Sequence, residues 1–551
     1  MLDESEMVRK YDQIPPSSTN FNLVIGFTYL MQFKDFLNSY LRYTPIIGAF
    51  ILFIFSLFFQ PTHDWDLDAF LYLGSRLQDG QFIYVDDFET KLPFLQYLFS
   101  IPAYLGGIGA WRIISFVTAL SLGLFATHLL IKDLAYESKI TTVKTKQLSI
   151  LITGLFLLLL YSLPGADAAH IEIFSSSFLY LAFVLLLIRH LDLAQSKKYI
   201  FLAGVFLAIA ALVRPNYVYL LPLFAILTFV KDRRIRFQFF KLSFTLSFLA
   251  GFFIAIFLNF LPYTFIDHGL IALMNGLNAM KNASHNYGLM HLLSEEFLHK
   301  PGIFYILMYL VIGLLLVNAL THAKHKKTIL HYTLPVFFAV LLLNLSLLRN
   351  HYYPHNTIMF VPMATISLSL FFVFKFKNNL FKVNSFHIII FILTIFVVMR
   401  PLADIRKNML NVANGKYAFN AQINHRNIDD ALLTFLQDQK HQGKSFLVAD
   451  NAIYHMKLNE PRIGDGHPIM LEIVLSGGRL VSMENIYLFS DDVIKEPCKV
   501  LNQSNKDFVI VKRDDQFYGL VDQCLIKDTS SYRKENIANL EAFAVYHLKK
   551  L

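Results

Sequence analysis

The stretch His63-Asp64-Trp65-Asp66-Leu67-Asp68 sets three carboxylates at alternate positions, directly after an apolar run from about Tyr43 to Phe59. Like charges this close repel one another, so something must hold them together. One acid, Asp66 or Asp68, is a candidate N-cap for a following helix. Capping explains one carboxylate and leaves two. In an extended stretch all three point to one side, whereas in a helix only Asp64 and Asp68 share a face. Asp66 is the first candidate for a functional role. A second acidic patch follows at Asp86, Asp87 and Glu89, and then Lys91-Leu92-Pro93. Lys91 is either partnered with Glu89 or snorkelling at the interface, or it is a cation placed to meet an anionic headgroup that the surrounding acids would otherwise repel.

Further along, three charged residues stand at the ends of apolar runs. They are Glu172 in Gly165-Ala-Asp-Ala-Ala-His-Ile-Glu172, Arg214 in Val213-Arg-Pro-Asn216, and Arg349 in Leu348-Arg-Asn-His-Tyr-Tyr-Pro354. Each alone reads as an interfacial anchor. Together they supply two guanidinium groups to accompany Lys91, and such groups are the natural donors to phosphate. No pair among His63, His170, His268, His285, His291, His299, His351 and His355 has a metal spacing such as H-E-x-x-H, so spacing does not point to zinc. Acid clusters can hold Mg²⁺ or Mn²⁺, which keeps a divalent cation open.

The elements that must position these residues are membrane spans. Hydrophobic residues make up 55% of the 551, and the mean hydropathy is +0.47. The excess lies in runs long enough to cross a hydrocarbon core, which predicts a polytopic α-helical membrane protein. About eleven spans are expected, starting near Tyr43, Trp111, Leu148, Ile173, Ile200, Tyr217, Leu242, Ile303, Leu330, Thr357 and His387. Loops rich in Lys and Arg alternate with acidic or neutral ones. The positive-inside rule then puts residues 1–42 in the cytoplasm and the first loop, 61–110, outside. No cleavable leader is visible, and Phe21–Phe33 reads as an interfacial helix. With an odd number of spans, residues 401–551 fall outside as well, beyond a transmembrane module at 43–400.

Within the first outer loop, Phe70, Leu73, Gly74 and Leu77 recur at helical spacing, with Gly80 as a C-terminal cap. This predicts a helix lying on the membrane surface, and Pro93 suits the first turn of another. Residues 401–551 read as a small α/β domain. A helix is expected across His425–Gln442, with strands at Ser445–Ala449, Phe508–Lys512, Tyr518–Val521 and Ala544–Leu548. Cys498 and Cys524 are compatible with a disulfide or with two free thiols.

The formal net charge of +9 is spread through short loops, which excludes a nucleic-acid surface. The sequence contains no P-loop, G-x-G-x-x-G or zincin motif. Arg112, Glu172, Arg214 and Arg349 all fall near outer span ends rather than at mid-membrane, where ion-coupled transporters place their charges.

In this order, the residues resemble the GT-C-type glycosyltransferases that use polyprenyl-phosphate sugars, a group that includes protein O-mannosyltransferases and the lipid A aminoarabinose transferase. The resemblance rests on Asp64-Trp-Asp66-Leu67, the run Leu71-Tyr-Leu-Gly-Ser-Arg-Leu77, Gly80, Tyr84-Val-Asp86, Lys91-Leu-Pro93 and Trp111-Arg112. It continues with Glu172, Arg214 and the stretch Arg349 to Pro354, which carries Tyr352 and Tyr353. It spans roughly His63 to Val373. Leu67 stands where the family often has glutamate, and Leu92 replaces one proline.

The resemblance implies an inverting transfer of a sugar from a polyprenyl-phosphate donor to an acceptor hydroxyl at the outer leaflet of the cell membrane. The acceptor would be a glycan, a lipid or a protein. Asp66 would be the base, supported by Asp64 or Asp68. Lys91, Arg214 and Arg349 would clamp the departing phosphate, and Glu172, Glu89, Tyr352 and Tyr353 are further site candidates. Two other readings remain open from the residues: a lipid or polysaccharide transporter, and a non-catalytic membrane scaffold.

Overall fold

The computed structural model describes residues 43–59, 65–78, 80–85, 91–138, 140–163, 170–191, 196–229, 242–283, 326–347, 354–375, 430–438, 444–449, 479–480, 507–512, 532–539 and 543–550. It also describes positions 305, 308–309, 312–313, 316–317 and 406. The protein is mostly helical. Among the described residues five helices are long and apolar enough to cross a membrane: Ile108–Tyr136, Thr142–Ser162, Leu242–Phe265, Leu330–Leu347 and His355–Val373. Shorter apolar helices cover Thr44–Phe58, Ile171–Leu187 and Pro215–Thr228.

In chain order the helices are α1 (Thr44–Phe59), α2 (Trp65–Gln78), α3 (Pro93–Leu105), α4 (Ile108–Ser138), α5 (Thr142–Ser162), α6 (Ile171–Leu187) and α7 (Lys197–Val213). After a 3-10 turn at Pro215–Leu220 come α8 (Leu221–Phe229), α9 (Leu242–Phe260), α10 (Gly269–Ala283), α11 (Lys326–Leu347), α12 (Val361–Lys375) and α13 (Asp430–Gln437). The spans expected near Ile303 and His387 lie largely or wholly outside the described residues, as do residues 1–42, Tyr518–Val521, Cys498 and Cys524.

Apolar side chains divide between two environments. Phe156, Phe183, Phe224 and Phe248 are fully buried between helices, whereas Phe50, Phe253, Phe257 and Phe337 are exposed. An exposed apolar belt of this kind is what lipid requires. Small residues bring helices together where lipid offers no hydrophobic drive. A Cβ at Gly204 of α7 would meet the Phe248 carbonyl oxygen of α9 at 2.1 Å, and one at Gly251 of α9 would meet that of Phe201 at the same distance.

The segment before α4 folds back as a helical hairpin. Gly74 of α2 lies so close to α3 that a Cβ would stand 2.4 Å from the Phe99 backbone. Helix α2 stops at the expected glycine: Gly80 has φ +76° and donates its N–H to the Leu77 carbonyl at 3.0 Å. Pro93 opens α3, with Leu92 extended before it.

One expectation is corrected. The sequence predicts a helix with a single covered face, but residues 70–76 are buried all round. Polar Ser75 and Arg76 are covered too, with the Arg76 guanidinium 5.9 Å from the Tyr72 ring centre. Over residues 70–76 the helix is covered by protein on both faces.

The C-terminal part carries a mixed sheet in the order β2-β1-β3-β5-β4, with β1 (Ser445–Ala449), β2 (Arg479–Leu480), β3 (Phe508–Lys512), β4 (Tyr532–Asn539) and β5 (Phe543–Lys550). Strands β2, β1 and β3 run parallel, and β5 is antiparallel to both β3 and β4. The polar edge strand β4 gave no alternating pattern to read. Leu432 and Leu436 of α13 are buried, as the helical period required.

Candidate functional site

Glu172 sits in the first turn of α6 and is 1% exposed. Its negative charge complements the helix N-terminus, but a carboxylate so deeply buried also requires a cation. Arg214 supplies it. Helix α7 ends at Val213, Pro215 cannot continue it, and the intervening Arg214 turns its guanidinium onto Glu172 Oε1 through Nη2. The same Nη2 donates to Asn356 Oδ1, at the start of the last described span. Three separate elements therefore converge on one ion pair.

Two imidazoles complete the group. His170 Nδ1 lies 3.6 Å from Glu172 Oε2, and His355 Nε2 lies 3.7 Å from Oε1. The two rings stack with centroids 4.6 Å apart and planes 12° from parallel. Each imidazole carries ring nitrogens that could serve as ligand atoms. One ligand atom from each of His170, Glu172 and His355 falls within 4.8 Å of the others. Donors around an ion bound at about 2.0–2.2 Å stand roughly 3–4 Å apart, so a small closure would hold one. Among the described residues, neither Glu172 oxygen has a hydrogen bond of good geometry, and Arg214 Nε is buried without an acceptor. Polar atoms in that condition fit a site that receives a charged ligand. Below the pair, Ser176 Oγ meets Tyr217 Oη at 2.9 Å and donates to the Ile358 carbonyl at 3.1 Å, tying α6 to the segment that carries His355 and Asn356.

The expected site residues are placed as follows. Asp66 and Asp68 lie in the first turn of α2, which begins at Trp65; their side chains, together with Asp64, Glu89, Arg349, Tyr352 and Tyr353, lie outside the described residues. Lys91 is half-buried immediately before α3. Leu67, between Asp66 and Asp68, belongs to the same cluster of buried side chains as Ile171, Phe174 and Val213, the neighbours of Glu172 and Arg214. Trp111 bridges them, its ring centre 4.3 Å from Phe99 of α3 and 5.6 Å from Phe174 of α6. The cluster continues through Leu432, Phe446 and Phe508 into the C-terminal sheet. Arg112 is fully buried and donates to the Ser56 carbonyl at 2.7 Å, joining α4 to α1.

Sequence spacing missed His170 with His355, because they come from loops far apart in the chain and meet only when α6 and the last described span pack together. It also missed Asn356. The one available signal was that His170 stands two residues before Glu172, and that His355 and Asn356 directly follow the stretch Arg349 to Pro354.

Neither a protein-family model nor a curated protein sequence matches the chain. Among solved structures, the chain is similar to ArnT from Cupriavidus metallidurans bound to undecaprenyl phosphate, at 10% identity over 91% of this chain and 97% of that one, with a TM-score of 0.51. It also matches the oligosaccharyltransferase AglB from Archaeoglobus fulgidus in complex with an inhibitory peptide and a dolichol-phosphate, at 12% identity, 93% and 75% coverage and a TM-score of 0.41. At this identity the likeness is one of fold: the chain shares the fold of ArnT over nearly the whole of both chains.

Proposed function

We propose that the protein is an integral-membrane glycosyltransferase that moves a sugar from a polyprenyl-phosphate donor to an acceptor hydroxyl, with inversion. The observation that carries this reading is the buried Glu172–Arg214 pair, ringed by His170 and His355 and joined through one apolar cluster to the helices that bear Asp66 and follow Lys91. The fold shared with ArnT, a protein solved with undecaprenyl phosphate, supports the donor class.

A sugar joined to phosphate already carries its leaving group, so the enzyme needs a base for the acceptor proton and cations for the departing phosphate. Asp66, with Asp64 or Asp68 beside it, takes the proton. Lys91, Arg214 and Arg349 receive the phosphate charge. Glu172 fixes Arg214 by one nitrogen and leaves Nε available, so its role is to aim the guanidinium. Glu89, Tyr352 and Tyr353 remain candidates for the rim of the site. A divalent cation would be held by His170, Glu172 and His355, where it would add positive charge next to the phosphate. Two imidazoles with one carboxylate suit Mn²⁺ or Zn²⁺ better than Mg²⁺, which prefers oxygen ligands.

The proposed topology has about eleven spans, residues 1–42 in the cytoplasm, and both the 61–110 loop and the 401–551 domain outside. The buried cluster that runs from α2 into the C-terminal sheet supports putting those two on one side. Incubation of the purified protein with a panel of polyprenyl-phosphate sugars tests the function. One sugar should release free polyprenyl phosphate in step with transfer, and no release from any of them, with intact binding of the lipid, would return the transporter reading to first place.

A further inference from the structure

The turn Phe82–Val85 in the first loop closes through the Val85 N–H on the Phe82 carbonyl at 3.1 Å. Tyr84 occupies its third position with φ +69°. Glycine or asparagine ordinarily fills such a position, because a Cβ is strained there, and a bulky residue held in it points to a function for the side chain. That side chain is 8% exposed, and its hydroxyl donates to the Lys91 carbonyl. The opposite face of its ring covers Gly276 of α10, where a Cβ would lie 2.3 Å from ring atoms. The turn itself is held on both flanks. Ile83 N–H donates to Gln96 Oε1 at 3.0 Å, and Tyr263 Oη donates to the Ile83 carbonyl at 2.8 Å. Gln96 Nε2 also donates to the Gln81 carbonyl, at 2.9 Å.

We propose that Tyr84 is a positioning residue for Lys91, wedged between the lysine's carbonyl and Gly276 so that the ammonium group is presented in one place to the donor phosphate. The inference rests on the polyprenyl-phosphate reading of the site and adds a residue to it. Two constraints then act on Lys91. Helix α3 starts two residues later at Pro93, which fixes the chain that follows. Tyr84 fixes the carbonyl of Lys91 itself. Glycine at position 84 would relax the turn but remove the hydroxyl, so the strained residue is the one that retains the contact. Glycine at position 276 is required by the ring rather than by its own backbone, which is helical.

The test is the affinity of the purified full-length chain for undecaprenyl phosphate, with thermal unfolding followed in parallel. Tyr84→Phe keeps the ring and removes the hydroxyl; it should weaken binding about three- to tenfold, the usual scale for one lost hydrogen bond. Gly276→Ala should weaken it at least as much by displacing the ring, and Tyr84→Phe alone decides the matter if that variant does not fold. In a Lys91→Ala background, Tyr84→Phe should have no further effect, because it acts through the lysine. A residue that merely packs would lower the unfolding temperature without this dependence on Lys91. Wild-type affinity in Tyr84→Phe, or losses that add in the double variant, would overturn the proposal. Failure of the wild type to bind the lipid would instead overturn the donor reading on which it rests, and the proposal with it.

Discussion

Helix α6 has a buried carboxylate at each end, and the two are treated in opposite ways. At one end stands Glu172. At the other, about 25 Å away for a helix of this length, Asp133 of α4 is fully buried beyond Leu187. Its Oδ1 accepts the His190 N–H at 2.6 Å, and its Oδ2 accepts the Arg189 N–H at 2.9 Å and the Tyr332 hydroxyl at 2.5 Å. Asp133 is thus satisfied by fixed donors, and it ties α4, α6 and α11 together. Glu172 has a guanidinium and two imidazoles around it, yet among the described residues neither of its oxygens has a well-formed hydrogen bond. Burial alone does not mark a functional acid. What separates the two is whether their partners complete the carboxylate or leave it able to accept something else.

The largest expected effect is at the open end. Glu172→Gln should lower transfer by about 10- to 100-fold, the scale seen when a group that orients a ligand-binding residue is lost. It should also destabilise the protein, because Arg214 keeps a largely buried charge without its partner. Adding Arg214→Gln to Glu172→Gln should recover much of the stability and none of the transfer. Thermal unfolding read beside turnover separates the two effects, and recovery of transfer in the double variant would break the comparison.

A smaller effect is expected at Lys91. Lys91→Ala should raise the donor KM more than Lys91→Arg does, since arginine keeps a positive charge near the phosphate. Equal activity for Lys91→Ala and wild type at limiting donor would remove the lysine from the phosphate clamp. The smallest effect on chemistry is expected at the closed end. Asp133→Asn presents an amide to donors that need an acceptor, so it should cost about 1–3 kcal/mol of stability. Turnover per folded molecule should stay at the wild-type level. A large loss of turnover there would mean that both ends of α6 serve the reaction.

Much of this arrangement is legible in the sequence wherever it is local. The period of Phe70, Leu73 and Leu77, the stop at Gly80, the start at Pro93 and the acid opening α6 each follow from neighbours a few residues apart. Strands Ser445–Ala449 and Phe508–Lys512 were readable because they alternate or run apolar. Three features escaped for physical reasons. His170 and His355 meet only through helix packing, which no spacing rule records. Asp133 sits next to Lys132 and reads as part of a basic loop, although its carboxylate turns inward to backbone N–H groups. Helix α2 carries Arg76 and Tyr72 on the face that periodicity assigns to solvent, and both are covered because their long side chains pack against the protein.

The central claim is that a base in the first loop drives sugar transfer from a lipid phosphate. The most direct test is the rate of free polyprenyl phosphate release from a competent donor by Asp66→Asn, measured against wild type at saturating donor. Asparagine keeps the size of aspartate and fits the first turn of α2, but it accepts no proton. The account predicts a loss of about a hundredfold or more, with undecaprenyl phosphate binding and unfolding temperature close to wild type. Asp64→Asn and Asp68→Asn should be milder. Wild-type release by Asp66→Asn would contradict the assignment of the base, and wild-type release by all three variants would contradict the account.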